Sequence, residues 1–114
     1  MKRGIENLFI WKEARIVVND IYELMKNCKD YAFKDQLQKA AISIMNNIAE
    51  GFERQTDKEF INFLYIAKGS AGEVRSMLYL SKELKYITND DFENLSKSYL
   101  QVSKLLHALI NSIK

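Results

Sequence analysis

The chain has 114 residues, with no proline, four glycines, one cysteine and a formal net charge of +2 at pH 7. This length suffices for one domain with a hydrophobic core, and the scarcity of the two strongest helix breakers favours long helices. The composition excludes an intrachain disulfide and, because charges interrupt every apolar run before ~20 residues, a transmembrane helix.

The first half of the chain predicts two helices. Its basic N-terminal end is not followed by an apolar run long enough for a signal peptide, so we expect a cytoplasmic protein. Apolar residues then recur at alternating spacings of three and four, the period of one helix face, and predict helices at about residues 8–28 and 34–53. A short connector that contains Asp30 and Tyr31 separates them.

The second half predicts two longer helices, at about residues 57–85 and 90–113. Thr56 followed by Glu59 is the pattern of a capping box and marks the start of the third helix. Thr88 or Asn89 caps the fourth helix. Four amphipathic helices with short connections predict an all-α, antiparallel up-down-up-down four-helix bundle, with residues 1–114 as a single domain.

The segment Gly69–Gly72 lies in the middle of the third predicted helix. Each of its two glycines lowers helix stability by ~1 kcal/mol relative to alanine. A patch of small residues on an apolar helix favours the close approach of a neighbouring backbone, and a kink is the alternative.

No catalytic site, metal site or cofactor is predicted. A di-iron bundle needs two Glu-x-x-His motifs, but the chain has one histidine, His107, at the edge of an apolar stripe, which we interpret as a packing or surface residue. A helical ribonuclease of the HEPN type carries an arginine a few residues before the histidine, where this chain has Leu100, Gln101 and Val102. No spacing indicates a Ser-His-acid triad.

Glu50 and Glu73 lie beside small residues rather than on plainly polar faces. The preferred interpretation is structural: each is a partly buried carboxylate that accepts hydrogen bonds from a neighbouring helix or subunit, with Asn47 and Ser70 as candidate donors. A binding site is the alternative. Glu50 also lies within reach of an ion pair with Arg54 on the same helix.

The apolar residues of the third helix spread over about half of its circumference, more than a four-helix bundle requires. Ile66, Met77 and Leu84 form the surplus, and a further stripe comprises Tyr65, Tyr79 and Tyr86. Because such a surface would be exposed on a monomer, the pattern predicts self-association.

Local basic clusters make nucleic acid a candidate ligand, although the net charge alone gives no argument for it. Lys68, Arg75 and Lys82 recur every seven residues beside the tyrosine stripe, so phosphate contacts and base stacking are available side by side. A second candidate anion site combines Arg54 and Lys58 with the amides at the start of the third helix. The alternative is that these basic side chains only cover apolar surface and are neutralised by nearby glutamates.

A distinctive set of residues extends from the second helix into the third, and it comprises Asn47, Ile48, Ala49, Glu50, Gly51, Phe52, Arg54, Lys58, Glu59, Phe60, Phe63, Leu64, Ala67, Gly69, Ser70 and Glu73. Trp11, Lys12, Ala14 and residues 38–44 fit the same pattern. The set resembles the hallmark of the 23S rRNA intervening-sequence protein family, often labelled four helix bundle proteins, over nearly the whole chain. One departure is Met45, where the family commonly has proline, so we expect a straighter second helix.

The resemblance implies an all-helical protomer that assembles into a ring, typically a pentamer, with no known enzymatic activity. The family is also similar to the accessory variability protein of diversity-generating retroelements, a basic pentamer that works with nucleic acid and a reverse transcriptase. The candidate residues for packing and subunit contacts are Asn47, Glu50, Gly51, Gly69, Ser70, Glu73, Tyr65 and Tyr79. The leading hypothesis is a non-enzymatic ring that binds RNA or DNA in a ribonucleoprotein, and the alternative is a protein-protein adaptor that uses the tyrosine and apolar surface.

Overall fold

The computed structural model describes residues 4–114, so the basic N-terminal end at residues 1–3 lies outside it. Over the described residues the elements are a 3-10 helix at Ile5–Asn7 and four α-helices: α1 at Phe9–Met25, α2 at Tyr31–Phe52, α3 at Asp57–Glu83 and α4 at Asn89–Ile113. Each helix packs against the next in the chain, and α4 returns to α1. The molecule measures 46 × 21 × 20 Å. The predicted all-α four-helix bundle is confirmed.

The first connection differs from the prediction. Helix α1 ends at Met25, and α2 begins at Tyr31, three residues earlier than expected. The side chain of Asp30 explains the early start, because it accepts a hydrogen bond from the backbone N–H of Phe33 at 3.2 Å and so caps α2.

The later helix ends follow the sequence signals more closely. Thr56 and Glu59 form the predicted capping box at the start of α3. Thr88 rather than Asn89 caps α4, in a second capping box with Asp91. Helix α3 ends with Lys85 in the left-handed region, at a φ of 63°, which reverses the chain direction between α3 and α4.

One hydrophobic core is formed by buried residues from all four helices. Its largest fully buried side chain is Tyr99 of α4, whose hydroxyl donates a hydrogen bond to the carbonyl oxygen of Val17 in α1 at 2.9 Å. Burial raises the pKa of this phenol, and the negative charge of Asp20 adds to the effect. Tyr99 therefore links α4 to α1 through both packing and a buried hydrogen bond.

Among the three glycines of the α-helices, Gly51 is the one in close contact with a neighbouring helix. A Cβ atom at Gly51 would lie 2.7 Å from Cβ of Phe63 and 3.0 Å from Cδ1 of Phe60, so the α2–α3 corner has no space for a side chain. Beside Gly69 and Gly72, no described atom comes within 4 Å of an added Cβ. The expected close approach at these two glycines is therefore wrong within the protomer, and α3 continues through them without a break.

Candidate nucleic-acid interface

The structure places the three predicted basic residues of α3 on the edge of that helix that faces α4. Lys68 borders a depression of about 320 Å³ with Ser103 and His107 of α4. Fourteen residues further along α3, the Nζ atom of Lys82 lies 4.3 Å from the ring centroid of Phe92 at the start of α4. The two contacts lie along one antiparallel helix pair, and Arg75 lies between them on the same face of α3.

Polar atoms without partners occur in the middle of this helix pair. The Nε atom of Arg75 and the hydroxyl of Ser96 are buried, and neither has a hydrogen-bonding partner among residues 4–114. Ser96 shares a helix face with Phe92 and Ser103, which places it on the α3 side of α4. Since buried polar groups are nearly always paired, these two atoms are exceptions among the described residues, and their burial leaves room for an internal water but not for an external ligand.

Two of the three predicted tyrosines lie on the solvent side of the same edge. Tyr79 is 52% exposed, and its ring packs edge-on against Phe92, with ring centroids 4.8 Å apart. Tyr65 is 43% exposed, and its hydroxyl accepts a hydrogen bond from Nζ of Lys114 at 2.9 Å. One face of each ring system is therefore held by protein, while the remaining surface is open to solvent.

Tyr86 does not belong to this stripe, so the predicted row of three tyrosines is wrong. The turn at Lys85 carries Tyr86 to the N-terminal end of α2, where its hydroxyl donates a hydrogen bond to Oδ2 of Asp30 at 2.6 Å. Its ring lies 5.4 Å from that of Phe33. The hydrogen bond lowers the pKa of Asp30 and raises that of Tyr86.

Helix α4 adds basic groups that the sequence pattern of α3 did not show. Lys104 and His107 border the depression next to Lys68, and Lys114 lies at 5.5 Å over the ring of Tyr65. We call this surface the basic seam, and it comprises Tyr65, Lys68, Arg75, Tyr79 and Lys82 of α3, Ser96, Ser103, Lys104 and His107 of α4, and Lys114 at the C-terminal end of α4. Only the packing of α4 on α3 brings the two sets together.

The second predicted anion site is not brought together in the same way. The guanidinium of Arg54 binds Glu50 at 2.5 Å and lies 4.8 Å over the ring of Phe63. At the start of α3, the carboxylate of Glu59 accepts hydrogen bonds from the N–H and hydroxyl of Thr56. The chain's own carboxylates therefore occupy this helix terminus, and Lys58 remains as an exposed charge beside it.

Glu50 and Glu73 are exposed in the protomer, so the predicted burial of these carboxylates is wrong there. Glu50 forms the expected ion pair with Arg54, and Glu73 accepts a hydrogen bond from Nε2 of Gln36 on α2 at 2.8 Å. The expected donors, Asn47 and Ser70, bind Ser43 instead.

Ser43 of α2 is the centre of a small polar network between α2 and α3. Its hydroxyl lies 2.9 Å from that of Ser70, and it accepts a hydrogen bond from the side-chain amide of Asn47 at 2.9 Å. The same amide donates to the Ser43 carbonyl oxygen at 2.8 Å. Asn47 and Ser70 therefore serve contacts within the protomer.

The outer surface of α3 carries the exposed apolar residues that the sequence predicts, with one correction. Ile66 and Leu84 are exposed, whereas Met77 packs against the core. Leu80 is also exposed and was not singled out by the pattern. Gly69 lies on this outer surface with open space around it.

The described residues were also compared with the requirements of a metal site and of a membrane-spanning helix. Among residues 4–114, no three His, Cys, Asp or Glu side chains are grouped in a way that would hold a metal ion. In the same part of the chain, none of the helices has an apolar stretch sufficient to cross a membrane.

Known proteins similar to this chain include a family and two individual proteins. The family model described as 23S rRNA-intervening sequence protein matches residues 6–108. A solved structure of a protein of unknown function from the S23 ribosomal protein family of Bacteroides thetaiotaomicron VPI-5482 has a TM-score of 0.79 and 28% identity, covering 89% of this chain and 97% of that one. Cysteine–tRNA ligase of Mycoplasmopsis pulmonis (strain UAB CTIP) is 26% identical over 89 residues, which are 78% of this chain; the chain spans only 15% of the length of that ligase.

Proposed function

This chain belongs to the 23S rRNA-intervening sequence protein family, and we propose that it is a non-enzymatic, ring-forming helical bundle that binds RNA or DNA in a cytoplasmic ribonucleoprotein. The observation that carries the proposal is the basic seam. It combines cationic side chains and exposed tyrosine rings along one edge of α3.

The dimensions of the basic seam suit a nucleic-acid strand. Lys68 and Lys82 are separated by fourteen residues of helix, or about 21 Å, which is the axial length of roughly six nucleotides in a stacked strand. Lysine and arginine neutralise phosphates along such a path, and tyrosine rings stack on unpaired bases. The seam therefore fits a short single-stranded segment, or a strand at the end of an RNA stem.

Two comparisons support RNA over DNA as the ligand. The family is named for an rRNA-intervening sequence, and the ligase that shares a segment with this chain is named for a tRNA. The shared segment is a small part of that ligase, so its ligase activity is not proposed for this chain. The names support the class of ligand only.

The exposed apolar residues of α3 support a ring. Ile66, Leu80 and Leu84 present apolar surface on the outer side of α3, where a second copy would remove them from water. The resemblance to the family makes a pentamer the expected form. Because a single chain carries a charge of only +2, repetition of the basic seam around a ring is what would raise the affinity for a long polyanion.

Affinity measurements on matched variants test the nucleic-acid proposal. The seam variant replaces Lys68, Arg75 and Lys82 by Gln, and its control replaces Lys12, Lys29 and Lys39, which are exposed elsewhere, by Gln. Both variants lose three positive charges. With a labelled RNA hairpin that carries a single-stranded tail, we expect the seam variant to lose at least tenfold in affinity and the control to lose about twofold. Equal losses would mean that the net charge, not the seam, determines binding.

Native mass measurement tests the ring separately. We expect an assembly of several 13.3 kDa chains without RNA, and a complex of higher mass when RNA is added. The variant Ile66→Ser should dissociate the assembly, whereas Ile16→Ser, at a residue of α1 with the same 51% exposure, should not. A mass of one chain at micromolar concentration would contradict self-association.

The alternative function is a protein-protein adaptor, for which the exposed apolar residues of α3 and the two tyrosines of the basic seam would form the contact. A reverse transcriptase is the partner that the resemblance suggests. Adaptor binding would depend little on salt, whereas RNA binding through the seam weakens steeply as salt rises. Capture of a protein partner that persists at high salt, with no affinity for RNA, would favour the adaptor.

A further inference from the structure

Helices α1 and α4 pack against each other less extensively than the other pairs of adjacent α-helices do. Two neighbouring depressions of about 260 and 400 Å³ follow the line between these helices. Asp20 and Ser98 border both depressions, so the two form a single groove. On α1 the groove extends from Glu13 to Leu24, a length of about 16 Å. We call it the α1/α4 groove.

The floor of the α1/α4 groove is apolar and fixed in position. Val17 and Val102 lie buried at its base, and Leu24 is partly buried at one end. The hydrogen bond from Tyr99 to the carbonyl oxygen of Val17 joins the two helices beneath the groove. On the rim, Ile16 is 51% exposed and extends the apolar surface toward solvent. The groove therefore has a preformed floor, and its accessible apolar surface lies at Ile16 and Leu24.

The rim is acidic. Four carboxylates border the groove, those of Glu13, Asp20, Glu23 and Asp91, against the single cation of Lys97, so the lining has a formal charge of 1 − 4 = −3. The whole chain has a charge of +2, so this side of α4 has the sign opposite to that of the molecule. Lys26, next to the lining, pairs with Glu23 at 2.7 Å and offsets one of these negative charges, so the rim stays net negative.

We propose that the α1/α4 groove is a docking site for a basic amphipathic α-helix of a partner protein. A groove between two helices accepts a third helix, and three turns of it match the 16 Å floor. Apolar side chains at positions i, i+3 or i+4 and i+7 contact Val17, Leu24 and Ile16, while flanking Lys and Arg side chains reach the acidic rim. The same carboxylates repel nucleic acid, so this site has a different ligand from the basic seam.

Fluorescence anisotropy with a synthetic peptide tests the site. The probe is a labelled peptide of about 18 residues, long enough to form a helix on binding, with leucine on one face and lysine on the other. The groove variant carries Glu13→Gln, Asp20→Asn and Glu23→Gln, and the control carries Asp35→Asn, Glu83→Gln and Glu93→Gln at exposed sites outside the lining. Both gain the same charge.

We expect saturable binding of one peptide per chain, weakened about tenfold in the groove variant and less than about twofold in the control. Ile16→Ala should weaken it about threefold through the lost apolar contact. The seam variant, with Lys68, Arg75 and Lys82 replaced by Gln, should bind the peptide unchanged, which separates this site from the proposed RNA site.

Three results would overturn the proposal. Equal weakening by the groove and control variants would show attraction by overall charge only. Equal affinity for the same peptide with glutamate in place of lysine would remove the charge argument. A native mass that falls to one chain in the groove variant alone would assign the groove to a second copy of this chain.

Discussion

Helix α3 has two edges, and they differ in how completely folding uses their polar groups. On the edge that faces α2, Ser70 binds Ser43 and Glu73 binds Gln36. On the edge that faces α4, Nε of Arg75 is buried without a partner among the described residues. The residues of the two edges alternate along the sequence of this one helix. Their difference lies in the hydrogen bonds that Ser70 and Glu73 make to α2, since the buried hydroxyl of Ser81, on the same helix face as Ser70, also has no partner among the described residues.

The largest expected effect on stability lies at the α2 edge and concerns close packing. Gly51→Ala should lower the free energy of unfolding by about 1–3 kcal/mol, because the new Cβ meets Cβ of Phe63 at the closely packed corner. Gly69→Ala is its matched control, and should raise the free energy of unfolding by up to ~1 kcal/mol, since the site is open and alanine favours helix. Urea unfolding measures both. Equal effects of one sign would contradict the contrast.

An intermediate effect distinguishes the hydrogen bonds of the two edges. Ser43→Ala should lower the free energy of unfolding by about 1 kcal/mol, because Asn47 and Ser70 both lose a partner. Ser96→Ala on the α4 side should leave it unchanged or slightly raised, since its buried hydroxyl binds no described residue. A larger loss for Ser96→Ala would show that this hydroxyl already has a partner, such as an ordered water.

The smallest effect concerns the end of α3 and the pH dependence of stability. The hydrogen bond from Tyr86 lowers the pKa of Asp30 below its usual value of 3.8. The stability that this hydrogen bond contributes is therefore present above pH 3.8 and is lost as the pH falls through the lowered pKa. The raised pKa of Tyr86 means that this contribution is also lost as the pH rises above 10. Tyr86→Phe should therefore lower the melting temperature slightly near neutral pH, where the bond contributes, and make the acid and alkaline limbs of the thermal-stability profile shallower. An identical profile would show that the bond has no role in solution.

Features set by neighbours in sequence could be predicted. The periodic spacing of apolar residues predicted the four helices, and the pair Thr56 and Glu59 predicted the start of α3. Both signals depend on residues that are close together in the sequence. The cap at Asp30 was missed because the sequence pattern of the connector does not show which residue turns its side chain back to the helix. The predicted tyrosine stripe wrongly included Tyr86, because a helical period does not show that the chain turns at Lys85 with a left-handed conformation.

Features set by contacts between helices could not be predicted in the same way. The bond between Lys114 and Tyr65 joins residues 49 positions apart, so the basic groups that α4 adds to the seam follow only from packing. The glycines show the same limit. Gly51 and Gly69 are alike as residues, and only the position of Phe63 against α2 decides that the first is closely packed and the second open.

The salt dependence of RNA affinity tests the central claim most directly, because it counts the phosphates that the protein neutralises. For the wild type, the logarithm of the binding constant should fall linearly with the logarithm of the salt concentration. In the variant with Lys68, Arg75 and Lys82 replaced by Gln, the slope should become shallower by about two to three units, or roughly 0.7–0.9 per contact. In the variant with Lys12, Lys29 and Lys39 replaced, it should stay close to the wild-type value. An unchanged slope in the seam variant would contradict the assignment of the basic seam as the nucleic-acid interface.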